Sequence, residues 1–306
     1  MRYKVVKRIK MWRQACLFTA CLTLGMFCRA QHKSPILRIG IMADIQYANK
    51  EDHGSRFYRN SLIKVDRAVE YFNQKKVDFS LILGDLVDEG PKDLPILKKH
   101  LSALKAPLYC LLGNHDYVNA AVPSQLHELY GMSNSYYSVV RQNWRFIFLN
   151  TNDLSEYATE KGSEKHLRWK NMRDSLNLAG RSNTQPWNGG IGNKQLAWLR
   201  AELELSELEK ENVLVFTHHP LLPENGYEAL NNQAILDILT SFPSVKMVLS
   251  GHNHAGNNVL SKNIPFITLE GMIETANDNA FGILEIDQDE INIHGSGRLN
   301  SSTFHF

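Results

Sequence analysis

Short apolar runs alternate with amphipathic stretches through residues 36 to 294, and several of the runs stop at a cluster of acidic, amide or imidazole side chains. That rhythm predicts a layered α/β architecture and argues against an all-helical bundle, because strands and helices recur in turn. Candidate strands are Ile36 to Ala43, Phe79 to Leu83, Leu108 to Leu112, Trp144 to Asn150, Val213 to Thr217, Val245 to Ser250, Phe266 to Leu269, and a final pair around Gly282 to Ile286 and Ile291 to His294. Helical spacing lies between them: Leu62, Val65, Val69 and Phe72 share one face, and Leu196, Leu199 and Leu203 share another in a helix opened by Asn193. Residues 151 to 192 break the rhythm. They are polar, lack sustained periodicity and end in Pro186-Trp187-Asn188-Gly189-Gly190, so they read as a long functional loop or cap inserted between core elements. A disordered linker is the alternative, opposed by Tyr157, Trp169 and Trp187.

The chain is long enough, at 306 residues with 43% hydrophobic content, to bury one sizeable core. Its formal net charge of +2 hides an asymmetry. Residues 1 to 30 carry seven of the 34 bases and no acid, which leaves 27 bases against 32 acids in the remainder. A nucleic-acid partner is disfavoured by that acidic body, since counterion release needs a basic face. The leader has a cationic start, an apolar run from Ala15 to Phe27 and Cys28-Arg29-Ala30 before Gln31. It reads as a signal peptide over residues 1 to 30, followed by a single domain over 31 to 306, and implies export to a periplasm or beyond the cell. A retained membrane anchor and a lipid-modified Cys21 are the rivals, and a membrane association is expected only under one of them. Three of the four cysteines lie in the leader, so Cys110 has no intramolecular partner after cleavage and reads as a buried strand residue.

Five candidate strands run directly into polar clusters: Asp44-Ile45-Gln46; Gly84-Asp85 with Asp88 close behind; Gly113-Asn114-His115-Asp116; Thr217-His218-His219-Pro220; and Gly251-His252-Asn253-His254. In open α/β sheets the loops beyond the carboxyl ends of strands converge on one crevice, so these clusters are expected to face one another. They offer carboxylates Asp44 and Asp85, amides Gln46 and Asn114, and imidazoles His218, His252 and His254. Oxygen and nitrogen donors without thiolate suit Mn²⁺, Fe or Zn²⁺. Seven donors exceed one tetrahedral ion, whereas two ions about 3.5 to 4 Å apart that share a carboxylate use them all, the geometry of phosphoester hydrolysis. Taken singly, each cluster also has a plain reading as a turn, a helix cap or a solvated pair.

The series DIQ, GDLVD, GNHD, THHP and GHNH resembles the calcineurin-like metallophosphoesterase superfamily, across roughly Ile36 to Ile293. The resemblance implies a four-layer αββα sandwich, two central mixed sheets flanked by helices. Gln46 stands where most members carry His. Together with ADIQYA, RFYRNSL, NGGIGNKQLAWL and LEGMIETANDNAFG, it resembles the manganese-dependent ADP-ribose/CDP-alcohol diphosphatases. What that implies is two divalent ions, Mn²⁺ preferred, with Asp44, Gln46, Asp85 and His254 on one and Asp85, Asn114, His218 and His252 on the other. It implies His115 as the residue that protonates the leaving oxygen or stabilises its charge, with Asp116 as a candidate orienter of its ring. The plain alternative for His115 is a structural histidine bonded to Asp116.

The substrate side is more open. Arg56 has the fork for a second phosphate or is a surface arginine; His219 touches substrate or packs behind the site; Glu270 and Glu274 orient ligands or face solvent. Beside the diphosphatases it resembles, which carry a longer connection with an aromatic near the nucleobase, this chain has only Asn49 to Ser55 there, which leaves nucleobase preference open, with Trp187 or Tyr157 as candidate substitutes. The partner expected is a small phosphorylated molecule, with the diphosphate linkage of ADP-ribose or CDP-alcohols as the target. A general phosphodiesterase or phosphomonoesterase, and a non-catalytic metal-stabilised surface module, are the rival readings.

Overall fold

In a computed structural model, residues 37 to 306 are described; the leader and its expected cleavage site lie outside them. The first sheet holds β1 (Leu37–Met42), β2 (Phe79–Leu83), β3 (Leu108–Leu111), β10 (Ala280–Ile286), β11 (Glu290–Gly297) and β12 (Ser302–His305), in the order β12-β11-β10-β1-β2-β3. The second holds β4 (Tyr137–Arg141), β5 (Trp144–Phe148), β6 (Asn212–Phe216), β7 (Val245–Ser250), β8 (Ala255–Ser261) and β9 (Ile264–Glu270), in the order β4-β5-β6-β7-β9-β8. Both sheets are mixed. The pairs β1–β2, β2–β3, β5–β6 and β6–β7 are parallel, with β1, β2, β3, β6 and β7 ending at the polar clusters, while β1–β10 and the outer hairpins β4–β5 and β8–β9 are antiparallel.

Alternation along the strands explains the layers, since successive side chains point to opposite faces. Phe146 and Phe148 of β5, with Leu214 and Phe216 of β6, join Ile39, Ile41, Leu81 and Leu83 of the first sheet in one buried cluster. Their in-between neighbours Ile147, Val213 and Val215 instead meet α5 (Asn193–Glu209) through Leu199 and Leu203, and α6 (Asn232–Leu239) through Ile235 and Leu239. On the outer face of the first sheet lie α1 (Ser61–Lys75) and α2 (Leu94–Leu101), which bury Val65, Val69, Phe72 and Leu97. Gly40 lets α1 approach β1, because a Cβ there would lie 2.7 Å from the Phe72 ring. The expected αββα order is what forms.

Three strands were not expected: β4, β8 and β12 are edge strands whose residues are half-exposed, so none carries an apolar run. Besides the four-residue α3 (Leu126–Leu129), the larger difference is α4 (Glu164–Leu178), a helix where a loop was expected. Trp169 is its one buried residue, with Met172 and Leu176 packed beside it at i+3 and i+7, a stripe too narrow among the surrounding charges to mark the helix in the sequence. Local chemistry adds to that packing: Ser163 caps its first turn by accepting from the His166 N–H at 3.2 Å, and Arg168–Glu164 and Lys170–Asp174 pair one turn apart at 2.7 and 3.0 Å.

Truncating the buried ring that seats α1 should be expensive: Phe72→Ala is expected to lower the unfolding free energy by about 3–5 kcal/mol in denaturant titration.

Candidate metal centre

All seven expected donors come together, and they divide by sheet. The loops after β1, β2 and β3 bring the oxygen-bearing Asp44, Gln46, Asp85 and Asn114, while those after β6 and β7 bring the imidazoles His218, His252 and His254. Two overlapping donor sets result, Asp85/His218/His252 and Asp44/Asp85/His254, each with its ligand atoms within 4.8 Å of one another. Asp85 belongs to both. Asn114 Oδ1 lies 3.2 Å from His218 Nε2 in the first set, and Gln46 Nε2 lies 3.2 Å from His254 Nε2 in the second.

The backbone is bent to achieve this. Asp44, Gln46, Asp85 and His252 all take left-handed φ values between 44° and 69°, a conformation that costs non-glycine residues energy and that persists where surrounding structure enforces it. The enforcing contacts join the loops: across the sheets the His252 N–H donates to both Asp44 carboxylate oxygens at 3.0 and 3.1 Å, and within the first sheet the His115 N–H donates to Asp85 Oδ1 at 2.8 Å. Gly113 has to be glycine, since a Cβ there would collide with Asp85 Oδ1 and His218 Cε1.

Electrostatics show what the donors lack. Asp44 and Asp85 are both buried beside each other, and burial together with the Asp85 charge pushes the Asp44 carboxyl well above its ordinary range. Burial raises Asp85 too, but His218 and His115 outweigh it and hold that carboxyl low. His218 and His252 are driven down by burial and stay neutral, with lone pairs available. Gln46 Oε1 is buried with no hydrogen-bond partner, and a half-turn of the amide aims it among the other donors. Buried acids, neutral imidazoles and an orphaned acceptor around one small volume fit a pair of divalent cations.

Each imidazole is fixed through its other nitrogen. His218 Nδ1 bonds the Leu83 carbonyl at 2.9 Å, and His254 Nδ1 bonds Glu274 Oε1 at 2.7 Å, a contact that holds Glu274 down to about 2. Glu274 therefore orients a donor, whereas Glu270 faces away and accepts from Asn300 at 3.0 Å.

His115 opens onto the same cleft, but its partner differs from the one expected. Its Nδ1 lies 3.0 Å from Asp88 Oδ1, and Asp88 is itself ion-paired to Lys50. Asp116 turns away to accept from the Gly113 and Val87 N–H groups at 2.9 and 3.1 Å, so it staples the loops after β2 and β3 and does not orient the ring. Burial opposes charging of His115, but Asp85 and Asp88 outweigh it and raise its pKa to about 9.

A cleft of about 350 Å³ sits over the donors, lined by Gln46, Arg56, His115, Trp187, Tyr227 and His254 among others. Arg56 and Trp187 thus stand where the sequence placed them. His219 does not: it is fully buried, with Nδ1 2.8 Å from Thr151 Oγ1 and Nε2 3.0 Å from the Trp187 carbonyl, so it supports Trp187 from beneath and cannot reach a ligand. Tyr157 packs against Tyr117 and bonds Asn152 at 2.8 Å, away from the cleft lining. Tyr227, 40% exposed, was missed; a lone aromatic in a Gly-containing loop carries no sequence signal.

A family model described as calcineurin-like phosphoesterase matches residues 37–256. The chain belongs to that family. Among calcineurin-like relatives, the manganese-dependent ADP-ribose/CDP-alcohol diphosphatase of Danio rerio is 30% identical over 318 residues, covering 89% of this chain and 98% of the relative. The protein of the same name from Arabidopsis thaliana is 30% identical over 306 residues, covering 89% and 98%. A crystal structure of a dimetal phosphatase from Danio rerio superposes with a TM-score of 0.82 at 30% identity, covering 89% of this chain and all of that one.

Asp85→Asn is expected to abolish tight Mn²⁺ uptake at both positions in calorimetric titration, because the shared carboxylate serves both donor sets. Buried neutral His219 gives a separate prediction for stability. Burial and the neighbouring His218 depress its pKa to about 3, below the unfolded value of 6.5. The unfolded chain therefore binds a proton that the fold rejects, and the stability present above 6.5 is lost as pH falls toward 3. His219→Asn should shallow the acid slope of the denaturation midpoint between about pH 6.5 and about pH 4 by one proton.

Proposed function

We propose that the protein is a hydrolase, dependent on two Mn²⁺ ions, that cleaves the phosphoanhydride of small nucleotide-containing diphosphates such as ADP-ribose or CDP-alcohols. The observation that carries this reading is the pair of donor sets sharing Asp85 at the floor of a cleft that also holds Arg56, His115 and two aromatic rings. Asp44, Gln46, Asp85 and His254 would hold one ion and Asp85, Asn114, His218 and His252 the other. Bound there, the ions supply Lewis acidity toward phosphate oxygens.

The chain's own groups do the rest. His115, charged by its carboxylate neighbours, donates its free Nε2–H toward the leaving oxygen while Asp88 holds Nδ1. Arg56 is 3.9 Å from Glu274 Oε1, a loose pair that leaves its fork able to take the phosphate that is not attacked. Trp187 and Tyr227, 43% and 40% exposed, offer faces for a base. A cleft of about 350 Å³ admits a small ligand, and the acidic body disfavours a polynucleotide. The relatives' printed activity supports the same substrate class. The cationic, then apolar leader supports export, with anchoring or lipidation as the variants of that proposal.

The broader reading, a phosphodiesterase or phosphomonoesterase without nucleotide preference, is favoured by residues 49 to 55, which bring no ring to the cleft. Comparing kcat/KM for ADP-ribose, CDP-choline and an aryl phosphate decides between them. The diphosphatase reading expects ADP-ribose to yield AMP and ribose phosphate with the highest value, and a dominant aryl phosphate would sink it. Trp187→Ala is expected to raise KM for ADP-ribose several-fold and leave the aryl phosphate unaffected. His115→Ala should lower kcat by about 10²- to 10⁴-fold while Mn²⁺ uptake is retained.

A further inference from the structure

Asn188 lies at the end of the 151–192 insertion, between the metal centre and the loop that carries Tyr227. Its side chain is 1% exposed, and every polar atom of it is committed. Nδ2 donates to the Asn183 carbonyl at 2.8 Å and to the Gly226 carbonyl at 2.7 Å. Two carbonyl acceptors on one side fix which way round the amide sits, because only the NH₂ group satisfies both. Oδ1 must therefore be the atom 2.9 Å from His252 Nε2. A carbonyl oxygen only accepts, so Nε2 has to carry the proton, and in a neutral imidazole the lone pair then resides on Nδ1. A ring nitrogen of His252 lies within 4.8 Å of the ligand atoms of Asp85 and His218, and with Nε2 taken by Asn188, Nδ1 is the one with a lone pair to offer that set.

We propose that Asn188 is a positioning residue that locks His252 in the Nε2–H tautomer and so presents Nδ1 to the second metal ion. The inference rests on the two-metal reading above and adds to it the dependence of one ion on the inserted segment. The arrangement is built and not incidental. Gly226, which Asn188 grips, is held from its other side by the buried Glu228, which accepts from the Asn225 and Gly226 N–H groups at 2.9 and 2.7 Å and pairs with Arg181 at 3.4 Å. The residue before Asn188 is Trp187 and the residue after Gly226 is Tyr227, whose ring meets the His252 ring at a centroid distance of 5.9 Å. One amide thus spans a donor imidazole and the roots of both aromatic walls of the cleft. The other two imidazoles are oriented by partners from elsewhere, the Leu83 carbonyl and Glu274, so only the ion held by His252 should feel Asn188.

Two measurements test this. In the metal-free native protein, long-range ¹H–¹⁵N correlation spectra, with His252→Gln used to assign the ring, should show His252 protonated on Nε2; protonation on Nδ1 overturns the proposal. Mn²⁺ titration by calorimetry, with electron paramagnetic resonance to detect the spin-coupled pair, is then run on the native chain, Asn188→Leu and Asn188→Asp. Leu fills the space without an acceptor and should weaken the second Mn²⁺ by about 10- to 100-fold, with loss of the coupled signal. Asp keeps an acceptor for Nε2–H but gives up the two donor contacts to the Asn183 and Gly226 carbonyls, so it should hold the second ion more tightly than Leu does; an Asp variant no tighter than Leu would overturn the inference. A folded Leu variant with native second-site affinity and only a lowered Tm would mean that Asn188 merely packs, and would overturn the inference. If the native chain takes up a single Mn²⁺, the two-metal reading fails by itself, and the tautomer spectrum still decides the role of Asn188.

Discussion

Two buried carboxylates, Asp44 and Asp85, stand side by side at the ends of adjacent parallel strands, and the surrounding structure is arranged around the cost of keeping them there. Like charges out of water repel strongly, so such a pair persists only with compensation. The protein supplies part of it: the His252 N–H on Asp44, the His115 N–H on Asp85, and the imidazoles of His218 and His115 close to Asp85. Left-handed backbone at both acids is the conformational cost of aiming them inward. Divalent cations complete the compensation, which is why a metal centre follows from the charges alone.

Much of the fold was legible because its central strands are buried on both faces and read as apolar runs, each stopped by a donor. Phe79–Leu83 and Val245–Ser250 have the bounds the sequence suggests. What escaped was amphiphilic by design of its position. Edge strands such as Ala255–Ser261 face solvent on one side, and the helix Glu164–Leu178 rests on the body through a narrow stripe of Trp169, Met172 and Leu176, its other stabilisation being a cap and surface ion pairs.

The site divides the same way. Donors at strand ends were readable, because strand ends in parallel sheets have a common destination. The partners that orient them were harder. Asp116 adjoins His115 in sequence whereas Asp88 lies 27 residues upstream, yet a 3₁₀ turn at His115–Tyr117 rotates Asp116 toward the backbone of the neighbouring loop and leaves the ring to Asp88. His219 adjoins a donor in sequence yet lies beneath Trp187, since consecutive side chains beyond a strand point to opposite sides. Tyr227 belongs to a loop with no periodic signal, and its place on the cleft wall depends on tertiary contacts made by Asn188 and Glu228.

The division of donors, oxygens from one sheet and imidazoles from the other, has a consequence for how the molecule tolerates change. The centre is a gauge of the registration between two layers that meet in a shared packed interior, where Phe79 touches Phe146 and Phe148 touches Phe216. Interiors packed like organic crystals transmit small volume changes as displacement. A substitution at one of those rings slides the oxygen half against the imidazole half and detunes both ion positions together, so turnover is vulnerable to residues that lie nowhere near the cleft.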